Sequence, residues 1–151
     1  MESEENLTEV QACSSIEGDL AIAEQAWLSS VALPCLNTVG GDLLVFENEA
    51  MTSVGDLSNL TSIGGNLDVG SNTSLTTLED LSNLSYVGGF LHIYRNDAFM
   101  SLDELSSLTY VGDDLLIQEN GQLCQTDAEA FAAGVDVMDT VYVAGNGGDC
   151  D

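Results

Sequence analysis

The chain has 151 residues and sets 26 acidic side chains against a single arginine, for a formal net charge of −25. That balance excludes nucleic acid and anionic membrane surfaces as partners, because both would be repelled. The length allows one domain with a real core, and the carboxylates read as a solvated surface.

Residues 1–12 read as an acidic linker or tail, and 13–151 as one domain. The opening residues lack an apolar run able to direct secretion, which predicts a mature fragment without its leader. No stretch reaches transmembrane length, so no membrane insertion is expected. The four cysteines lie only near the two ends, Cys13 with Cys35 and Cys124 with Cys150. This placement predicts two local disulfides, each worth roughly 3 kcal/mol by loop closure, and an oxidising compartment. Neither CxxC spacing nor a D-x-[DN]-x-[DN]-G loop is present, and no metal or cofactor is expected.

Between the cysteine pairs a unit recurs, best kept as G-x-L-x-(V/I)-x-x-N. It occupies 41–48, 65–72 and 89–96, then 113–120 with Asp113 in place of the glycine, and worn copies end at Gln25 and Asn146. Equivalent positions lie 23, 24, 24, 24 and 26 residues apart. Self-similarity at such a period predicts a solenoid, in which each repeat buries its apolar face against its neighbours. Leu43, Leu67, Leu91, Leu115 and Val141 form one inward strand column; Val45, Val69, Ile93, Ile117 and Val143 form the next. Asn48, Asn72, Asn96, Asn120 and Asn146 form a third column. Buried amides must be satisfied, so these asparagines are expected to be structural, bonding the bend and the neighbouring repeat. Asn66 is expected to point outward and to matter much less.

After each bend the apolar spacing becomes three, as in Leu75, Leu78, Leu81, Leu84 and Val87, which predicts short extended pieces and turns rather than an α-helix. Pairs such as Gly64-Gly65 supply the corner into the next strand. At the far end, Thr126-Asp127 followed by an alanine-rich run and Gly134 predicts a short capping helix. Residues 23–33, with Trp27, are expected to close the front in the same way. Four N-x-[ST] sequons occur, at Asn6, Asn59, Asn72 and Asn83; Asn59 and Asn83 share a repeat position, so the consensus alone generates them.

The segment Cys13-Ser14-Ser15-Ile16-Glu17-Gly18-Asp19-Leu20-Ala21-Ile22 is similar to C-x-x-I-x-G-x-L-x-I, and Asn120-Gly121-Gln122-Leu123-Cys124 to N-x-x-L-C. In these ends, and in the register between them, the chain resembles the receptor L-domain family: the leucine-rich-repeat-like domain of insulin and epidermal-growth-factor receptors and of bacterial and fungal surface proteins. The resemblance covers roughly residues 13–150. It implies an all-β, right-handed parallel β-helix of about six coils with capped, disulfide-bonded ends and an extracellular setting. A binding role it implies only weakly, because here a single domain stands alone.

With Leu91 and Ile93 inward, Phe90, His92 and Tyr94 must point out. Register places Leu44, Asp68, Leu116 and Tyr142 in line with His92, and Phe46, Gly70, Gln118 and Ala144 in line with Tyr94. The expected contact surface is therefore Phe46, Phe90, His92, Tyr94, Arg95 and Tyr142, covering on the order of 250 Å². Aromatic rings with one cation suit a protein or carbohydrate at a cell surface. No catalytic residue is expected, since His92 lies mid-strand with no serine or cysteine that the register sets beside it. The sequence thus supports a non-enzymatic binding or adhesion module. The alternative is a spacer domain of a larger surface protein with no ligand of its own.

Overall fold

The computed structural model describes residues 14–150. Each repeat contributes a two-residue strand, a corner, and a four-residue strand. The short strands are β1 (Ser15–Ile16), β3 (Thr38–Val39), β5 (Ser62–Ile63), β7 (Tyr86–Val87), β9 (Tyr110–Val111) and β11 (Asp136–Val137). The long ones are β2 (Leu20–Ala23), β4 (Leu43–Phe46), β6 (Leu67–Gly70), β8 (Leu91–Tyr94), β10 (Leu115–Gln118) and β12 (Val141–Ala144). Each set forms a parallel six-stranded sheet in chain order. The fold is mostly β and solenoid-like, with one α-helix among the described residues, α1 (Gln125–Ala133).

Alternation along the long strands decides what is buried. Leu43, Val45, Leu67, Val69, Leu91, Ile93, Leu115 and Ile117 are almost wholly inaccessible. The third side of the core comes from the three-residue period. Met51, Val54, Leu57 and Leu60 are buried, as are Leu75, Leu78, Leu81, Leu84 and their counterparts from Phe99 to Val111. Two of these segments wind as 3₁₀ turns, Glu79–Leu81 and Asp103–Leu105. With three residues per turn, that winding keeps every third side chain on one face.

The asparagine column is a continuous hydrogen-bond ladder. Asn72 Oδ1 accepts from the backbone N–H of Asn48 (3.1 Å) and from its Nδ2 (3.1 Å). Asn72 Nδ2 donates to the Val45 carbonyl (2.9 Å) and to Asn96 Oδ1 (3.2 Å). Both amide hydrogens and both carbonyl lone pairs are used. Asn96 and Asn120 repeat the pattern. The ladder ends in two glutamines. Gln125, the first residue of α1, accepts at Oε1 from the N–H and Nδ2 of Asn146 (3.3 and 3.1 Å) and donates to the Val143 carbonyl (3.0 Å). At the front, Gln25 donates its N–H to Asn48 Oδ1 (3.1 Å) and turns its own amide back to the Ala23 carbonyl (2.9 Å).

The residue before each ladder position has left-handed backbone: Glu24, Glu47, Ser71, Arg95 and Glu119 at φ 52 to 57°, and Gly145 at 71°. An L-residue there costs on the order of 1 kcal/mol, and the ladder bonds on either side hold it.

A second, shorter ladder runs where the strand begins. Asp19 Oδ1 accepts from Asp42 N–H (2.8 Å), Asp42 Oδ1 from Asn66 N–H (2.7 Å), and Asn66 Oδ1 from Phe90 N–H (2.9 Å). It explains the glycines at 41, 65 and 89. None has a positive φ, but a Cβ on each would strike the ladder oxygen of Asp19, Asp42 or Asn66. Asp113 can replace glycine because the residue it faces, Phe90, carries no such oxygen. Thr140 N–H bonds Asp114 Oδ1 (3.0 Å) in the last repeat although Asp139 stands at the glycine position, so the ladder bond does not by itself require glycine there.

Several expectations need correction. Asn66, expected to point outward, is half-buried, and its Oδ1 accepts from Phe90 N–H. Val141 keeps the inward register but is 49% exposed, β12 being the edge strand of its sheet among the described residues. The helix starts at Gln125 with Cys124 at its cap position, before Thr126. The front, residues 23–33, forms turns, an isolated bridge from Ala32 to Asp56 and no helix, and Trp27 is 69% exposed. The Cys124–Cys150 disulfide is present, with Cα atoms 5.1 Å apart. Cys13, and with it the expected 13–35 bridge, lies outside the described residues.

Replacing Asn96 by alanine leaves Asn72 N–H without its acceptor and removes one bond each from Asn72 Nδ2, the Val69 carbonyl and Asn120 Oδ1, the amide keeping Val45 and the oxygen keeping the backbone N–H of residue 96. Asn96→Ala should cost about 2–4 kcal/mol, and Asn66→Ala, which frees only Phe90 N–H, about 1 kcal/mol. Urea midpoints in the opposite order would overturn the ladder assignment.

Candidate functional site

The long sheet presents two outward rows. Leu44, Asp68, His92, Leu116 and Tyr142 are in register in one; Phe46, Gly70, Tyr94, Gln118 and Ala144 in the other. The predicted residues Phe46, His92, Tyr94 and Tyr142 are thus brought onto one face. Phe90 is half-buried at its margin, just before β8. Tyr142 is 50% exposed.

Side-chain packing makes the centre of this face a unit. The Tyr94 ring lies over Gly70 on the neighbouring strand, where any Cβ would collide with it. His92 stacks on Tyr94, with ring centroids 4.1 Å apart and planes 22° from parallel. Gln118 Nε2 lies 2.9 Å from His92 Nε2. An amide nitrogen only donates, so the neutral imidazole accepts at Nε2 and carries its proton on Nδ1. Burial holds the His92 pKa below its ordinary value, partly opposed by the charge of Asp68. Burial likewise raises the Tyr94 pKa, with Asp68 and Glu47 adding to the effect.

Asp68 is the residue that patterning did not single out. It pairs with His92 across the sheet, is half-buried, and its Oδ1 is shielded from solvent with no hydrogen-bond partner. Desolvation raises its pKa, the nearby His92 opposes this, and Asp42 adds to it. A polar residue on an apolar face was the available signal. Its burial depends on how side chains lie across the sheet, which spacing does not reveal.

Arg95 is not the free cation expected of it. Its Nε donates to Glu119 Oε2 at 2.7 Å, in an exposed pair. Beyond Phe46 the bends form a shallow depression lined by Glu24, Glu47, Glu49, Ala26, Ser71 and Thr73. The short sheet carries a second aromatic feature that spacing did not reveal, Tyr86 stacked on Tyr110 at 5.0 Å and 5°. Asp113, Asp114 and Asp139 place carboxylate oxygens within 4.8 Å of one another at the corner of the last repeats, a common grouping on an acidic surface. Comparison with known protein families, curated proteins and solved structures gave no match.

Gly70→Ala should push the Tyr94 ring aside and expose His92. As His92 is the only histidine, its NMR titration reports this directly, and its pKa should rise toward 6.5; an unmoved titration would show that the stack does not depend on Gly70. Asp68→Asn should stabilise the protein at neutral pH. A carboxyl whose folded pKa is raised favours folding below its unfolded pKa of 3.8 and loses that contribution as pH climbs through the folded value. The gain over wild type should therefore be present at pH 7 and vanish below about pH 4, as melting curves across that range would show.

Proposed function

We propose that this chain is a non-enzymatic binding or adhesion module of an extracellular or cell-surface protein, and that the outward face of its long sheet contacts a protein or glycan. In this reading the solenoid is a right-handed parallel β-helix of six coils of the receptor L-domain type. Solenoids offer broad, rigid faces suited to such contacts. The observation that carries the reading is the centre of that face, where His92, Tyr94 and a partly desolvated carboxylate sit on one rigid sheet, flanked by Phe46 and Tyr142. A spacer domain has no use for a half-buried charge lacking a partner, which costs stability. The Cys124–Cys150 bridge supports an oxidising compartment. Among the described residues no helix is long and apolar enough to cross a membrane.

The test uses the immobilised protein against a displayed peptide library and a glycan array. A Phe46→Asn, Tyr142→Asn variant spares Tyr94, which packs on Gly70, and should melt as wild type does. It should lose at least about tenfold of whatever binding is found, given the weight of aromatic anchors in interfaces. A Tyr86→Asn change on the other sheet should not. Undiminished binding by the double variant would overturn this face as the site, and absence of binding to every probe would leave the spacer reading standing.

A further inference from the structure

We infer that the occupant of this face is a lysine- or arginine-bearing segment of another protein, its cationic side chain laid across Tyr94 and Phe46 toward Asp68. The inference rests on the binding-face reading above and specifies its partner. Charge is the first argument. At a formal −25, the molecule as a whole attracts cations and repels acidic proteins and acidic glycans. The face has no positive charge to offer Asp68. The only arginine is paired with Glu119, and the only histidine is neutral, accepting from Gln118. Asp68 therefore holds a half-buried negative charge between Leu44 and His92 in its row, with one oxygen shielded and unpartnered. A counter-charge laid on the face relieves this; the hydroxyls of a neutral sugar bring none.

Shape and chemistry of the surroundings agree. Aromatic π-faces attract ammonium and guanidinium groups, and Tyr94 and Phe46 lie in the row beside Asp68. The aliphatic stem of a lysine or arginine covers apolar surface while its head stays polar, and Leu44 and Leu116 supply that surface on either side of Asp68 and His92. Where the strands end, Glu24, Glu47 and Glu49 line the depression next to Phe46, placed to meet a second basic residue of the same segment.

The experiment is calorimetric titration of the full chain at physiological salt. The probes are a Gly-Ser peptide of twelve residues bearing spaced lysines and arginines, the same peptide with glutamates, and a neutral β-glucan oligosaccharide. The basic peptide should bind and the acidic one should not. Asp68→Asn, which is expected to fold at least as stably as wild type, should weaken the basic peptide by about tenfold or more, as loss of one partner of a desolvated charge pair does. Asp136→Asn removes the same charge from an exposed site on the short sheet and should weaken it by less than about twofold, because exposed charges are screened. Equal losses from the two variants would mean diffuse attraction and overturn the proposal, as would absence of binding. Binding of the neutral oligosaccharide alone, lost in Phe46→Asn, Tyr142→Asn, would overturn the cationic partner and keep the binding face. Binding of any probe with no dependence on that double variant would overturn both.

Discussion

The asparagine ladder is the constraint from which the rest of this fold follows. Each amide bonds the backbone of the preceding repeat and the amide of the next, so the spacing of neighbouring repeats is set at one atom-precise point. The bend it braces demands left-handed backbone at a residue that is non-glycine in five of six cases. Such strain persists only where its surroundings over-determine it. A ladder that satisfies every amide hydrogen at Asn72, Asn96 and Asn120 does so. The glutamines at the two ends show that the ladder must be closed as well as continued. Gln125 reaches from a helix to make bonds that a further asparagine would have made.

From that point register propagates in both directions. Three residues before each asparagine lies an inward valine or isoleucine, and two before it lies an outward residue. A slip by one would turn the buried column out and the aromatic face in, so the ladder also determines which side chains meet at the surface. His92 and Tyr94 face solvent together because Asn96 is anchored. They stack because a strand sets alternate outward residues about 7 Å apart, near enough for rings to lean together. The direction of the lean is set by Gly70, whose missing Cβ leaves the space that the Tyr94 ring fills.

Much of this was legible in the chain. The repeat of Gly-x-Leu-x-Val-x-x-Asn fixes period, strand, bend and register without any coordinates, and rows such as Leu44–Asp68–His92–Leu116–Tyr142 follow by counting. What escaped counting were features that depend on side-chain direction or on chain ends. Asn66 and Asp42 look like solvated polar residues until the backbone N–H one repeat on is seen to need them. Val141 obeys the inward pattern yet is exposed, because periodicity carries no information about how an edge strand is covered. Arg95 is adjacent to Tyr94 in sequence, but left-handed backbone sends its side chain to Glu119.

The strand β6 concentrates the departures from local rule. A consensus strand here would carry branched or aromatic residues outward; β6 carries Asp68 and Gly70, both poor strand formers. The glycine costs roughly 0.5–1 kcal/mol in a strand interior, and the half-buried carboxylate adds a desolvation penalty on top. Neither is needed by the ladder, since the asparagines on both sides are fully bonded. Sequences that otherwise agree at every level tend to break their own rules where they contact something else. Glycine gives Tyr94 its seat, and Tyr94 stacks on His92, which pairs with Asp68 across the sheet. The two departures therefore meet on one face, where a half-buried negative charge lies beside a stacked pair of rings.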